Sequence, residues 1–165
     1  MSVLAHALWA GLGLSVYLGF AFFGLLLFNP EIWIGDYPPD IRAAWGPQSP
    51  QARAQKWGFA LPIFGLMFAY IIIATIQAFR LGGGSLGFLD IAIHTFLMLS
   101  VFNVLDLLIL DWLIFVRFTP KFAVLPGTEG FAGYDDYRFH FNAFLKGTAG
   151  IFVASLLVAA IALLF

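Results

Sequence analysis

Residues 88–116 read FLDIAIHTFLMLSVFNVLDLLILDWLIFV. The run is apolar almost throughout and outlasts the roughly 20 residues that carry a helix across about 30 Å of hydrocarbon. It is continuous rather than alternating, which excludes a barrel strand. In lipid a backbone must satisfy its own polar groups, and a helix does this within one segment. Three further runs have the same character, at 3–28, 57–79 and 141–165. The expected fold is therefore all-α: an integral membrane four-helix bundle forming a single transmembrane domain.

Composition agrees. The chain has 165 residues, 62% of them hydrophobic and 10% charged, with a mean hydropathy of +0.95. A soluble domain carries about 25% charged residues. It could not hide this much apolar surface in one core. Net charge is −1, and no basic stripe points to nucleic acid. There is no cysteine, so disulfides, thiolate metal sites and cysteine nucleophiles are excluded. The first run has no Lys or Arg at its amino end and is too long for a signal-peptide core, so it is expected to be retained.

The connections are 29–56, 80–87 and 117–140. The middle one, RLGGGSLG, is short and makes the second and third helices antiparallel neighbours. Ser85 is the expected N-cap of the third helix, and Pro62, about one turn into the second, is placed to kink it. Arg42, Arg53, Lys56, Arg117, Lys121, Arg138 and Lys146 all fall on or beside the two longer connections, and only Arg80 falls at the other end. The positive-inside rule then puts the long loops in the cytoplasm and both termini opposite, in a bacterial inner membrane. Trp33, Trp45, Trp57, Tyr134 and Tyr137 add an aromatic belt on that side, the PPDIRAAW segment suits a short interfacial helix, and FAVLPG suits the membrane surface or a partner. Together the two loops are expected to form a cytoplasmic cap.

The third run also holds the polar groups. Asn103 and Asp106 lie about 60° apart on an α-helix, with Ser100 and Asp111 on the flank of Asn103. An acid at mid-bilayer costs about 2.5–3.5 kcal/mol and is tolerated where it faces the bundle interior. Asn103, Asp106, Ser100 and Asp111 thus form a candidate intramembrane site. The structural alternative has Asp106 satisfied by Asn103 and by hydroxyls of Tyr70, Thr75, Thr148 or Ser155. Asp111 and Lys146 sit at similar depth on neighbouring helices, as a structural ion pair would. His6 and His94 enter from one side, with Asp90 four residues before His94. They are candidate metal ligands or ligands of a b-type haem, beside the alternative of two interfacial polar residues. His140, the last residue of YDDYRFH and near Asp135 and Asp136, is a further candidate metal ligand, beside the alternative of a solvated turn.

Gly11, Ser15 and Gly19 share a helix face at fourfold spacing, a packing face for this bundle or for a partner. The 20 Phe residues suit packing or a pocket for a flat apolar ligand. No Walker, nucleophile-elbow, HExxH or dinucleotide motif occurs. The reading is a non-catalytic accessory subunit or a bundle binding an apolar lipid-like molecule (lipid, quinone or carotenoid), with membrane lipids, other membrane subunits or a second copy as partners. The rivals are a membrane enzyme or proton- or cation-coupled carrier using Asp106, and a two-histidine haem protein.

Overall fold

The computed structural model describes residues 1–164. Four long helices pack together: α1 (Val3–Phe28), α3 (Pro50–Leu81), α4 (Phe88–Leu105, continuing as a wider helix over Asp106–Phe118) and α5 (Tyr137–Ala162). A short helix, α2 (Pro39–Trp45), and three 3₁₀ turns fill the longer connections. All four long helices are long and apolar enough to cross a membrane. Their outward surfaces are apolar, as Leu61 at 74%, Phe20 at 75% and Phe68 at 60% exposure illustrate. Apolar surfaces of this extent suit contact with lipid or with another apolar protein face rather than with water.

Helix α4 is central, packed on α1 and α5, with α3 against α1 and α4. The bundle core joins Ala10, Leu14 and Leu18 to Ile71, Ala74, Met98 and Leu99. Gly11 lets α1 and α4 touch: a Cβ there would stand 2.7 Å from the Met98 carbonyl oxygen and from Val101 Cβ. Tyr hydroxyls tie α1 to α3, Tyr70 donating to the Ala10 carbonyl at 2.8 Å and Tyr17 to that of Ile63 at 3.0 Å.

Helix ends follow caps rather than hydropathy. Helix α3 starts at Pro50, ahead of the apolar run at 57, because Ser49 accepts from Ala52 N–H at 3.1 Å and Pro50 is suited to the first turn. Helix α5 starts at Tyr137 for the same reason, with Asp136 as its cap. Ser85 is not the N-cap of α4. Its hydroxyl donates back to Gly82, while Gly87 takes the cap position and gives its N–H to Asp90 at 2.9 Å.

The two longer connections meet at one end of the bundle and form a cap with its own core: Ile34, Tyr37, Ile41, Ala123, Leu125 and Tyr134 against Phe115 and Val116. FAVLPG contributes Ala123 and Leu125 to this core, with Phe122 and Val124 packed against it and Pro126 and Gly127 exposed. Tyr134 is 4% exposed and also leaves the expected aromatic belt. Its hydroxyl receives Leu125 N–H at 3.0 Å and meets Thr128 Oγ1 at 2.8 Å. Tyr37 donates to the Ala123 carbonyl at 2.8 Å, and burial pushes its phenol upward. Lys56 stands over the Trp33 ring at 6.0 Å.

Candidate intramembrane polar site

At Asp106 the α4 ladder changes from i→i+4 to i→i+5 bonding and stays so to Phe118. Thr119, at φ 40°, closes it by donating its N–H to the Ile114 carbonyl at 3.1 Å. Wider turns of this kind are rare and occur mostly at functional sites. The change matters for the acids. On an α-helix Asp111 would lie about 140° around from Asp106. With five-residue stacking the two share a side.

Asp111 pairs with His140 of α5, its Oδ1 3.0 Å from His140 Nδ1. The expected partner, Lys146, is exposed on α5 instead. The sequence places His140 beside Asp135 and Asp136 as a loop-edge metal site. It is 4% exposed, while Asp136 caps α5 and Asp135 faces outward. Because Asp111 accepts the Nδ1 proton, Nε2 is the bare nitrogen of the neutral ring, and it is buried without a partner.

Asp106 does not bond to Asn103. Asn103 donates to the Phe144 carbonyl at 3.2 Å and to Thr148 Oγ1 at 3.0 Å, pinning α4 to α5. Gly147 makes the room, since a Cβ there would meet Asn103 Oδ1 at 2.8 Å. The other suggested partners of Asp106 are engaged elsewhere: Thr75 with Ile71, Ser155 with Ile151, Tyr70 with Ala10. Ser100 Oγ is buried and unpaired. Asp106 instead lies within electrostatic reach of Asp111, His140 and Asp36. Asp36, in the cap, is pushed upward by its burial among protein atoms. Lys56 opposes the shift, Asp111 adds to it, and Arg42 and His140 oppose it. Asp36 is also partly open to solvent, which weakens each of these influences.

Asp106 also forms part of the wall of a groove of about 420 Å³ between α1 and α4. Apart from Asp106 and Ser15 the lining is aliphatic and aromatic, with Phe20, Phe23 and Phe102 among it. Ser15 has given its proton to the Gly11 carbonyl at 2.7 Å. Gly19, over which a Cβ would meet nothing within 4 Å, keeps the groove open. The small-residue face is therefore divided: Gly11 packs inside the bundle, and Gly19 faces the groove. The sequence singles out Asp106 as an acid inside an apolar run, but it does not say which of the 20 Phe side chains line the groove with it.

At the opposite end His6 Nδ1 meets His94 Nε2 at 3.0 Å, and His6 Nε2 meets Gln77 Oε1 at 3.1 Å. Asp90 does not orient His94, since its carboxylate caps α4. The α1–α4 seam is closed one turn further in at Gly11, which leaves no width for a haem macrocycle between the two rings. Among the described residues no group of three or more His, Asp or Glu is placed to hold a metal ion.

Compared with protein-family models, curated proteins and solved structures, the chain matches none.

Proposed function

We propose that this four-span helical protein is a non-catalytic membrane bundle that holds an amphiphilic small molecule in the α1–α4 groove, tail among the Phe and Leu side chains and polar head at Asp106. The observation that carries this reading is the groove itself. Its volume falls in the range of small-molecule sites, its lining is apolar, and one carboxyl group stands in its wall. The outer surface around it is apolar too, so a ligand reaches it from the bilayer. A carboxyl as the one uncommitted polar group favours a head that donates a hydrogen bond or carries positive charge.

Native mass spectrometry of protein extracted from its own membrane tests this. The wild type is expected to retain an apolar molecule that Gly19→Leu and Asp106→Leu lose, with thermal stability preserved in Gly19→Leu. A wild type that retains nothing, or a Gly19→Leu variant that retains the same molecule, overturns the reading.

The Asp111–His140 pair favours a second reading, a proton-coupled carrier or membrane enzyme, because it presents a carboxylate-oriented imidazole with a bare nitrogen near Asp106. Proton-driven uptake in proteoliposomes that vanishes in both Asp106→Asn and His140→Gln would put that reading first. Membership of a larger complex would show as co-purifying subunits in the same mass spectra.

A further inference from the structure

The His6–His94 contact lies outside the groove and has its own geometry. The ring centroids are 5.2 Å apart and the planes differ by 17°. With the two nitrogens only 3.0 Å apart, the rings meet edge to edge, their nitrogen axes near one line, rather than face to face. Gln77 Oε1 accepts the His6 Nε2 proton, which leaves His6 Nδ1 as a lone pair aimed at His94. This is the arrangement in which outer-shell carbonyls hold metal-binding imidazoles. His94 is 1% exposed, and its other nitrogen, Nδ1, has no partner. The hydrogen now shared between the rings can therefore move to His94 Nδ1 without breaking another bond. Both facing nitrogens then present lone pairs.

We propose that His6 Nδ1 and His94 Nε2 bind a single soft monovalent cation, Cu(I), in two-coordinate linear geometry. Two metal–imidazole bonds of about 2.0 Å on one line need the nitrogens about 4 Å apart, so the side chains must open by about 1 Å from their hydrogen-bonded state. Charge selects the ion. The ligands and Gln77 are neutral, and Asp90, the nearest acid in sequence, is turned to Gly87. A divalent ion would bring two uncompensated charges into this buried place, and a monovalent ion brings one. Hard ions would also lack oxygen ligands, whereas imidazole suits copper. A linear ion needs only two ligands, and the narrow α1–α4 seam offers only two. His6 lies one turn into α1 and Gln77 is exposed, so the site can be reached from the uncapped end of the bundle.

Cu(I) added anaerobically to the full chain in detergent, in competition with bicinchoninate, tests the site. The wild type should hold one ion per chain, with X-ray absorption reporting two nitrogen neighbours. His6→Ala and His94→Ala should each weaken uptake at least tenfold, while Gly19→Leu keeps it. No uptake by the wild type, or equal uptake by the His6→Ala/His94→Ala double variant, overturns the proposal. Where those variants do not fold, ¹⁵N-histidine spectra of the wild type decide. Ag(I), a diamagnetic surrogate, should move the His6 and His94 signals and leave His140 in place. No shift, or an equal shift of all three, overturns it.

Discussion

Single side chains settle the joints of this molecule, and Glu31 is the plainest. It accepts the Ser49 N–H at 2.6 Å and the Ser49 hydroxyl at 2.9 Å, fastening the first loop to the start of α3. Its slight burial would raise the carboxyl, but the two Ser49 hydrogen bonds and a weaker one from Trp45 together outweigh that and hold it below the ordinary range. A depressed folded-state value contributes stability that is present above the unfolded value, about 4.3, and is lost as pH falls through the folded one. Thermal unfolding in detergent should therefore show the wild type more stable than Glu31→Gln at pH 7, by about 1 kcal/mol. The difference should shrink as pH falls below about 4. A difference that does not change with pH would rule the charge out. The polar residues on the third run show the limit of reading at this scale. Their place inside an apolar run was legible, because composition and length mark that run as a candidate span. Their partners were not, because Asn103 chose Phe144 and Thr148, and Asp111 chose His140, by how α5 is turned against α4.

Helices carry the next level. Gly11 and Gly19 look equivalent in sequence, both belonging to one fourfold stripe on α1. Packing separates them. An added methyl at Gly11 would press on Met98 and Val101 of α4, and at Gly19 it would meet open space. Gly11→Ala should cost about 1–3 kcal/mol in thermal or denaturant unfolding. Gly19→Ala should stay within about 0.5 kcal/mol of the wild type. Equal losses would mean that the stripe acts as one face. The widened helix from Asp106 was not legible either. Periodicity reports which residues are apolar, and with only Asp106, Asp111 and Arg117 charged between Asp106 and Phe118 the stretch stays mostly apolar in either winding. Only the backbone ladder shows that Asp106 and Asp111 share a side.

For the whole molecule, the cap and the groove are products of distance in sequence. The cap joins residues of the first loop to residues of the second, as in Tyr37 to Ala123 and Gly133 N–H to Asp40 at 2.9 Å. Its sidedness is open to a direct test, because the chain has no native cysteine. With Gly83→Cys and Glu129→Cys introduced singly, a membrane-impermeant maleimide added to intact spheroplasts should label position 83. Position 129 should react only after lysis. The reverse pattern would invert the orientation drawn from the basic residues. Hydropathy and length determined the all-α class, the number of long apolar helices and the presence of acids inside an apolar run. These are local properties, set by transfer of side chains from water to lipid and by hydrogen bonds within a few residues. The Asp111–His140 pair, the joined histidines at the far end and the groove over Asp106 were decided only when helices met. Lipid accepts any apolar face equally, so hydropathy holds no information about which face turns toward which neighbour.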